Sequence, residues 1–196
     1  MKNLYIPLYF FPVLLANCSK KTAIDTTNSY LPNTVGTNYT YAVTDSNNNK
    51  TYSVYIAIVG RSTLPNGTPV SIWTITNPAS VDTNYVYSDK DSAIFYDRTK
   101  MYIANVYRFP LAVGARWSIP YKSDTLTVVN NYPLKTTIGT FNNTFLLQEH
   151  GAAENYHFNK SQWFVPKVGM VKMYYQEFYF GSPVTQYWDL INYHIN

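Results

Sequence analysis

From Tyr52 to Ile58 the chain reads Tyr-Ser-Val-Tyr-Ile-Ala-Ile, with Val54, Ile56 and Ile58 two positions apart. Asp124-Thr-Leu126-Thr-Val128 repeats that alternation, and Val70, Ile72 and Thr74 offer a third instance. A period of two is that of a strand with one buried face. Asp45-Ser-Asn-Asn-Asn-Lys50 has the make-up of a hairpin tip, and Gly151-Ala-Ala reads as another turn. Only residues 81–89 and 161–164 are helix candidates, and both are short. The pattern predicts an all-β, mainly antiparallel fold, a curved sheet, sandwich or incomplete barrel.

Two stretches echo each other. Tyr30-Leu-Pro-Asn-Thr-Val35-Gly36-Thr-Asn-Tyr39 and Arg108-Phe-Pro-Leu-Ala-Val113-Gly114-Ala-Arg-Trp117 share Pro, two residues, Val-Gly, two residues, aromatic. Further on, Asn66-Gly67-Thr68 matches Ile138-Gly139-Thr140, and Asn84-Tyr85-Val86-Tyr87 matches Asn155-Tyr156-His157-Phe158. The period, about 75 residues, exceeds the roughly 20–50 of solenoid repeats. Two related β-halves, about 30–107 and 108–196, are therefore expected within one body. Pro biases the preceding residue toward extended backbone, and Gly can take the left-handed conformation of a turn. Each Pro-x-x-Val-Gly should then lead into a strand whose first inward aromatic is Tyr39 or Trp117.

Composition agrees. The 196 residues include 20 Tyr, 10 Phe and 4 Trp, against 13 % charged residues and a net charge of +4. Aromatic and β-branched residues suit strands. The cations are scattered rather than striped, so no nucleic-acid partner is expected. Cys18 is the only cysteine, which excludes a disulfide and any Cys-based zinc site.

The N-terminus carries the clearest signal. Lys2 precedes the uncharged residues 4–16, LYIPLYFFPVLLA, and Leu15-Ala16-Asn17-Cys18 follows. A spanning helix needs about 20 apolar residues, so this run is too short. The arrangement resembles a bacterial lipoprotein signal peptide with its lipobox. That resemblance implies removal of residues 1–17, lipidation of Cys18 and a linker over 18–29 before the β domain of 30–196. The bland alternative is a buried N-terminal strand ending in an ordinary cysteine. Ser19-Lys20-Lys21, with no aspartate after the cysteine, is similar to outer-membrane rather than inner-membrane sorting signals. An acidic surface-export cluster is missing, which favours the periplasmic face.

The second half extends the resemblance. Arg108-Phe-Pro-Leu-Ala-Val-Gly-Ala-Arg-Trp117, Ile138-Gly-Thr-Phe141 and Trp163-Phe-Val-Pro-Lys-Val-Gly-Met-Val-Lys172 resemble a group of uncharacterised Bacteroidetes-type envelope lipoproteins. The match covers most of the mature chain. It implies an all-β body of curved antiparallel sheet and no catalytic residues to carry over. The first half departs from the pattern, with Asn33 for leucine and Tyr39 for tryptophan. Asp25-Thr26-Thr27, Asp91-Ser92-Ala93 and Asp124-Thr125-Leu126 resemble Bacteroidetes O-glycosylation tripeptides, which marks Thr26, Ser92 and Thr125. Asp-Ser and Asp-Thr are equally ordinary turn chemistry.

Three functional readings follow. In the first, the body is a non-catalytic binding or scaffold module that holds an apolar ligand, a glycan or an envelope protein through Trp117, Trp163, Tyr175 and Trp188. Tyr and Trp supply flat apolar surface with a polar handle, and Met173 to Phe180 is aromatic on both strand faces. In the second, Glu149, His150, Glu154 and His157 form a periplasmic hydrolase site and converge in one pocket. Neighbouring strand residues point to opposite faces, however, and the turn reading leaves these side chains solvated. In the third, the chain is a structural or adhesive subunit. No nucleophile elbow, nucleotide-binding glycine pattern or carboxylate pair stands out, so no catalytic residue, cofactor or metal is expected.

Overall fold

The computed structural model of the chain describes residues 30–196 except 121, 123, 154, 155, 180 and 181. Cys18, Thr26 and Glu154 therefore lie outside the described residues. Six strands come first: β1 (Asn38–Asp45), β2 (Lys50–Thr63), β3 (Pro69–Thr76), β4 (Val81–Ser88), β5 (Ser92–Tyr96) and β6 (Ile103–Arg108). Six more follow: β7 (Arg116–Ser118), β8 (Thr125–Thr136), β9 (Gly139–Ala153), β10 (Tyr156–Val165), β11 (Gly169–Tyr179) and β12 (Ser182–His194). All belong to one antiparallel sheet in the order β6-β5-β4-β3-β2-β1-β12-β11-β10-β9-β8-β7. The fold is all-β and the sheet curls into a nearly closed barrel.

Both helix candidates are strands. Residues 81–88 are β4, laddered to β3 from Val81↔Thr76 to Val86↔Ser71, and 161–164 lie inside β10 between β9 and β11. Main-chain partners on the sheet outweigh so short a helical pattern, since isolated short helices are marginal. Gly151-Ala-Ala is not a turn either. It continues β9, and the pairing with β10 runs out to Ala153↔Tyr156. Gly151 serves packing there: a side chain would collide with the Phe158 ring and the Asp124 carboxylate.

The alternation in β2 and β8 buries Val54, Ile56, Ile58, Leu126 and Val128 as expected. In β3 the phase differs. A register shift between Ile58 and Gly60 sets Trp73 opposite Ile58 and Ile75 opposite Ile56, so Trp73 and Ile75 face inward with them rather than Ile72 and Thr74.

The two Pro-x-x-Val-Gly segments build the same turn. Gly36 (φ 96°) and Gly114 (φ 89°) both take the left-handed region, where glycine meets no Cβ penalty. Thr37 N donates to Thr34 O at 3.1 Å, as Ala115 N does to Ala112 O at 2.9 Å. Gly36 N donates to Ile58 O, and Gly114 N to Val128 O. Ile58 N returns a bond to Thr37 O, and Val128 N to Ala115 O. Each turn thereby fastens the start of one strand, β1 or β7, to the strand that follows it. The other echoes also fall on elements six strands apart. Gly67 sits in the β2–β3 connection and Gly139 opens β9 just after the β8–β9 connection, while Tyr85 and Tyr156 lie on β4 and β10.

The first half's departures have structural partners. Asn33 is buried, and its Oδ1 accepts the Trp73 indole at 2.8 Å while its carbonyl accepts Arg61 Nη1 at 2.9 Å. Leu111, at the matching position, is plain core. The chain enters over the base of the sheet, where Tyr30 stacks on Phe109 at 5.1 Å. Among the described residues, the twelve strands surround one hydrophobic core.

The two joints around the barrel differ. β1 and β12 are laddered from Asn38↔His194 to Asp45↔Gln186. β6 and β7 are not paired, and β7 has three residues where β1 has eight. Pro120, which has no N–H, follows β7 closely. Side chains bridge this seam instead: Trp117 Nε1 donates to Val106 O at 2.8 Å, and Lys122 Nζ to Ala104 O at 2.8 Å. Trp117→Phe removes the buried bond and strands the Val106 carbonyl. It should destabilise the protein by about 1–3 kcal/mol in denaturant titrations and speed amide exchange in β5 and β6. Unchanged exchange there would mean that the seam is held elsewhere.

Candidate functional site

Eight closed strands leave an interior that side chains just fill. Twelve leave more, and here aromatic rings occupy it. Trp73 lies against Tyr39 at 6.3 Å and Phe95 at 5.5 Å; Tyr107 lies against Phe95 at 5.7 Å and Phe164 at 4.9 Å. Tyr41 joins through Tyr39 at 6.5 Å. These six residues surround a cavity of about 110 Å³, closed further by Leu31 and Met170. Its lining comes from β1, β2, β3, β5, β6, β10 and β11, with Leu31 from the segment before β1.

Few polar side chains line the cavity. Tyr41 Oη donates to Met170 O at 2.8 Å, and the Gln162 amide and Tyr107 Oη bond each other at 3.0 Å. Tyr39 Oη is buried without a hydrogen-bond partner. It stands beside Gly169, where a Cβ would lie 3.6 Å from it. Burial raises the Tyr39, Tyr41 and Tyr107 phenols well above their ordinary range, and the Glu149 carboxylate pushes Tyr107 further.

Glu149 and Lys160 form an inward ion pair next to this cluster. They face each other across β9 and β10, with side chains 4 % and 16 % exposed. The interior location of Glu149 corrects the expectation of a solvated turn residue: β9 runs on through Ala153 and carries Glu149 inside. The sheet also parts it from the histidines. His150 is exposed and holds Asn159 Oδ1 through Nδ1 at 2.6 Å, and His157 is exposed and stacks on Phe178 at 4.4 Å. The two imidazoles share a shallow outer depression, and Glu149 is on the other face. The three do not converge. Among the described residues, no group of three His, Cys, Asp or Glu could hold a metal.

The four aromatic candidates do not share one site. Trp117 is buried at the seam. Trp163 is half-buried, bonded to Tyr132 Oη at 2.6 Å, with Lys172 Nζ 6.0 Å from its ring. Tyr175 lies opposite Lys160 and donates to Glu177 at 2.6 Å. Trp188 packs on Tyr41 at 5.8 Å and donates to Gln186 at 3.1 Å. Trp188 thereby touches a residue of the cavity lining, Tyr41. Ser92 is half-buried at the start of β5, with its N–H and hydroxyl on Asp89. Thr125 is half-buried at the start of β8, opposite His150. The cavity residues Tyr41, Trp73, Phe95, Tyr107 and Phe164 were not singled out by the sequence. Their signal was the same inward alternation that marks an ordinary core.

Fold and site define a twelve-stranded antiparallel meander, nearly closed around an aromatic interior. No protein-family model matches the chain, and no curated protein matches it. Among solved structures it is similar to a Bacteroides fragilis "putative exported protein with YmcC-like fold", with a TM-score of 0.50 and 13 % identity over 85 % of this chain and 99 % of that one. It is also similar to a "putative lipoprotein" from Parabacteroides distasonis, at a TM-score of 0.47 and 14 % identity over the same shares. The first likeness is one of fold.

Two measurements test this interior. Lys160→Met leaves the Glu149 carboxylate buried and unpaired, so stability should fall by about 3–5 kcal/mol, whereas Lys160→Met with Glu149→Leu should recover most of the loss. Failure of the double variant to recover would remove the pairing argument. The tyrosines set the alkaline limit. Unfolded phenols ionise near pH 10, and the folded ones ionise higher. Their contribution is complete below pH 10 and is lost as pH rises toward the folded values. Chemical-denaturation midpoints should fall above about pH 10, with phenolate absorbance rising as the protein unfolds. Complete phenolate formation near pH 10 with the fold intact would contradict their burial.

Proposed function

We propose that the chain is a lipoprotein of the bacterial cell envelope, anchored to the outer membrane through Cys18 and facing the periplasm. Its β-body acts as a non-catalytic binding module for an apolar ligand. The observation that supports binding most is the cavity among Tyr39, Tyr41, Trp73, Tyr107 and Phe164. Pockets of this kind, apolar with a few placed polar groups, are the usual sites of small ligands. The hydrolase reading finds no support, because Glu149 lies on one face of the sheet and both histidines on the other. Anchoring rests on the lipobox-like Leu15-Ala16-Asn17-Cys18; two or more acyl chains on one cysteine would hold the protein stably.

The body, on this reading, descends from a duplicated six-stranded unit with halves of about 30–107 and 108–196. Support comes from the twin turns at Gly36 and Gly114 and from the landmarks six strands apart.

Mass spectrometry on protein made in a Gram-negative envelope tests the proposal. The membrane fraction should yield a chain that begins at Cys18 and carries a covalent lipid increment. Residues 19–196, secreted without the anchor, should show excess native mass that solvent extraction removes. An unmodified Cys18 would overturn the anchor, and a bare native mass would overturn the ligand.

A further inference from the structure

The twin Pro-x-x-Val-Gly turns share a feature that packing does not account for. Each presents its valine to solvent: Val35 is 36 % and Val113 58 % exposed, whereas Leu31 and Leu111 in the same segments are core. The bonds Thr37 N to Thr34 O and Ala115 N to Ala112 O put both valines at the second position of a four-residue turn. Turn chemistry favours Pro, Asp, Asn or Ser there, not an exposed valine.

Both tips lie at one end of the barrel. In this antiparallel meander the odd-numbered strands start, and the even-numbered strands finish, at the same end. That base also holds Tyr193 and Ile195, exposed at and just beyond the finish of β12. The chain enters the body there too, at Tyr30 against Phe109.

Charge divides along the same axis. Around the base stand Lys90 between β4 and β5, Arg108 ending β6, Arg116 opening β7, Lys135 near the end of β8 and Lys167 between β10 and β11. All five are exposed, and the three ion pairs among the described residues involve none of them. Asp89 and Asp91 are the carboxylates at this end, and Asp89 is taken up by Tyr87 Oη and the N–H groups of Asp91 and Ser92. The opposite end carries Asp45, Asp82, Asp97, Asp124 and Glu177 against Lys50, Arg98 and Lys122.

We propose that the base is a membrane-docking face that seats on anionic phospholipid headgroups. Its basic rim meets the phosphates, while Val35, Val113, Tyr193 and Ile195 enter the interface. Apolar contacts combined with cations are what interfacial binding to anionic lipid requires, and Tyr suits that boundary. The same surface repels the acidic far end. Only residues 19–29 separate Cys18 from Tyr30, at most about 40 Å when fully extended, and Lys20 and Lys21 add charge of the same sign. The base is thus the end nearest the anchor along the chain. This rests on the anchored-lipoprotein reading above and adds the orientation of the body.

The test uses the lipidated protein in vesicles of phosphatidylcholine, with and without phosphatidylglycerol, and reads lysine acylation by mass spectrometry. In the anionic vesicles Lys90, Lys135 and Lys167 should react at least about fivefold more slowly than in the neutral ones, the equivalent of one cation held at the surface. Lys50 and Lys122 should react alike in both. High salt should abolish the protection. Arg108→Glu with Arg116→Glu should weaken it, as should Val35→Ser with Val113→Ser.

Equal reactivity of the two ends in anionic vesicles overturns the proposal. Protection that persists in neutral vesicles and in high salt also does so, since a second copy or another protein then covers the base. If Cys18 carries no lipid the anchor reading fails, and the unlipidated chain is added to the same vesicles. Sedimentation with the anionic vesicles alone, with the base lysines protected, then sustains the docking face. No sedimentation means that both fail.

Discussion

Everything in this protein answers to the width of its barrel. A closed sheet of eight strands can be filled by ordinary side chains, and each added strand widens the interior. Twelve strands here enclose a space that Val and Leu alone would leave open, and unfilled space forfeits dispersion contacts. The chain meets that demand with large flat rings drawn from opposite walls, as where Tyr107 of β6 meets Phe164 of β10 at 4.9 Å. The unusual complement of 20 Tyr is in part a consequence of this geometry. The residual cavity lies among these rings.

Closure sets the second constraint. A long ladder joins β1 to β12, whereas β6 and β7 meet without one and depend on two side chains. An unpaired edge presents main-chain donors and acceptors that invite other strands. At this seam the Trp117 indole and the Lys122 ammonium occupy the carbonyls of Val106 and Ala104, two residues apart on β6. A three-residue β7 ending near Pro120 cannot do that work with its own backbone. The tryptophan is thus a fastener, and its appearance as a binding candidate in the sequence reflects the same chemistry: a large apolar ring with one strong donor.

Much of the fold was legible in the sequence because period-two alternation and glycine-marked turns are local signals. Val54-Tyr-Ile56-Ala-Ile58 and Leu126-Thr-Val128 point as their spacing implies. The two Val-Gly turns form as their proline and glycine imply, down to matching hydrogen bonds. What failed was whatever required long-range information. The β3 phase depends on a register shift in β2. Gly151 looked like a turn glycine, but its missing side chain makes room for Phe158 and Asp124 from elsewhere in the chain. With that error corrected, Glu149 moves from solvent to the interior and the hydrolase cluster comes apart. The cavity was the least legible feature of all. Tyr41, Trp73, Phe95, Tyr107 and Phe164 carry the same inward spacing as filled core, and only closure of the sheet leaves a gap between them.

The contrast between Tyr39 and Trp117 bears on why an unpaired hydroxyl persists. At a purely structural position, phenylalanine would fill the same volume without a stranded polar atom, and stability alone would favour it. The companion position meets its polar atom's need through the seam, so the local turn can place a donor where an acceptor waits. Tyr39 has the same turn before it and cavity beside it. The lining pairs Tyr41 with Met170 and Tyr107 with Gln162, so among its polar side chains the unpaired atom is that of Tyr39; elsewhere in the interior Glu149 Oε2 also lacks a hydrogen bond, although it is ion-paired with Lys160. The same turn thus delivers a satisfied donor at β7 and an unpaired hydroxyl at β1, because what each polar atom meets is set by the far side of the sheet and not by the turn.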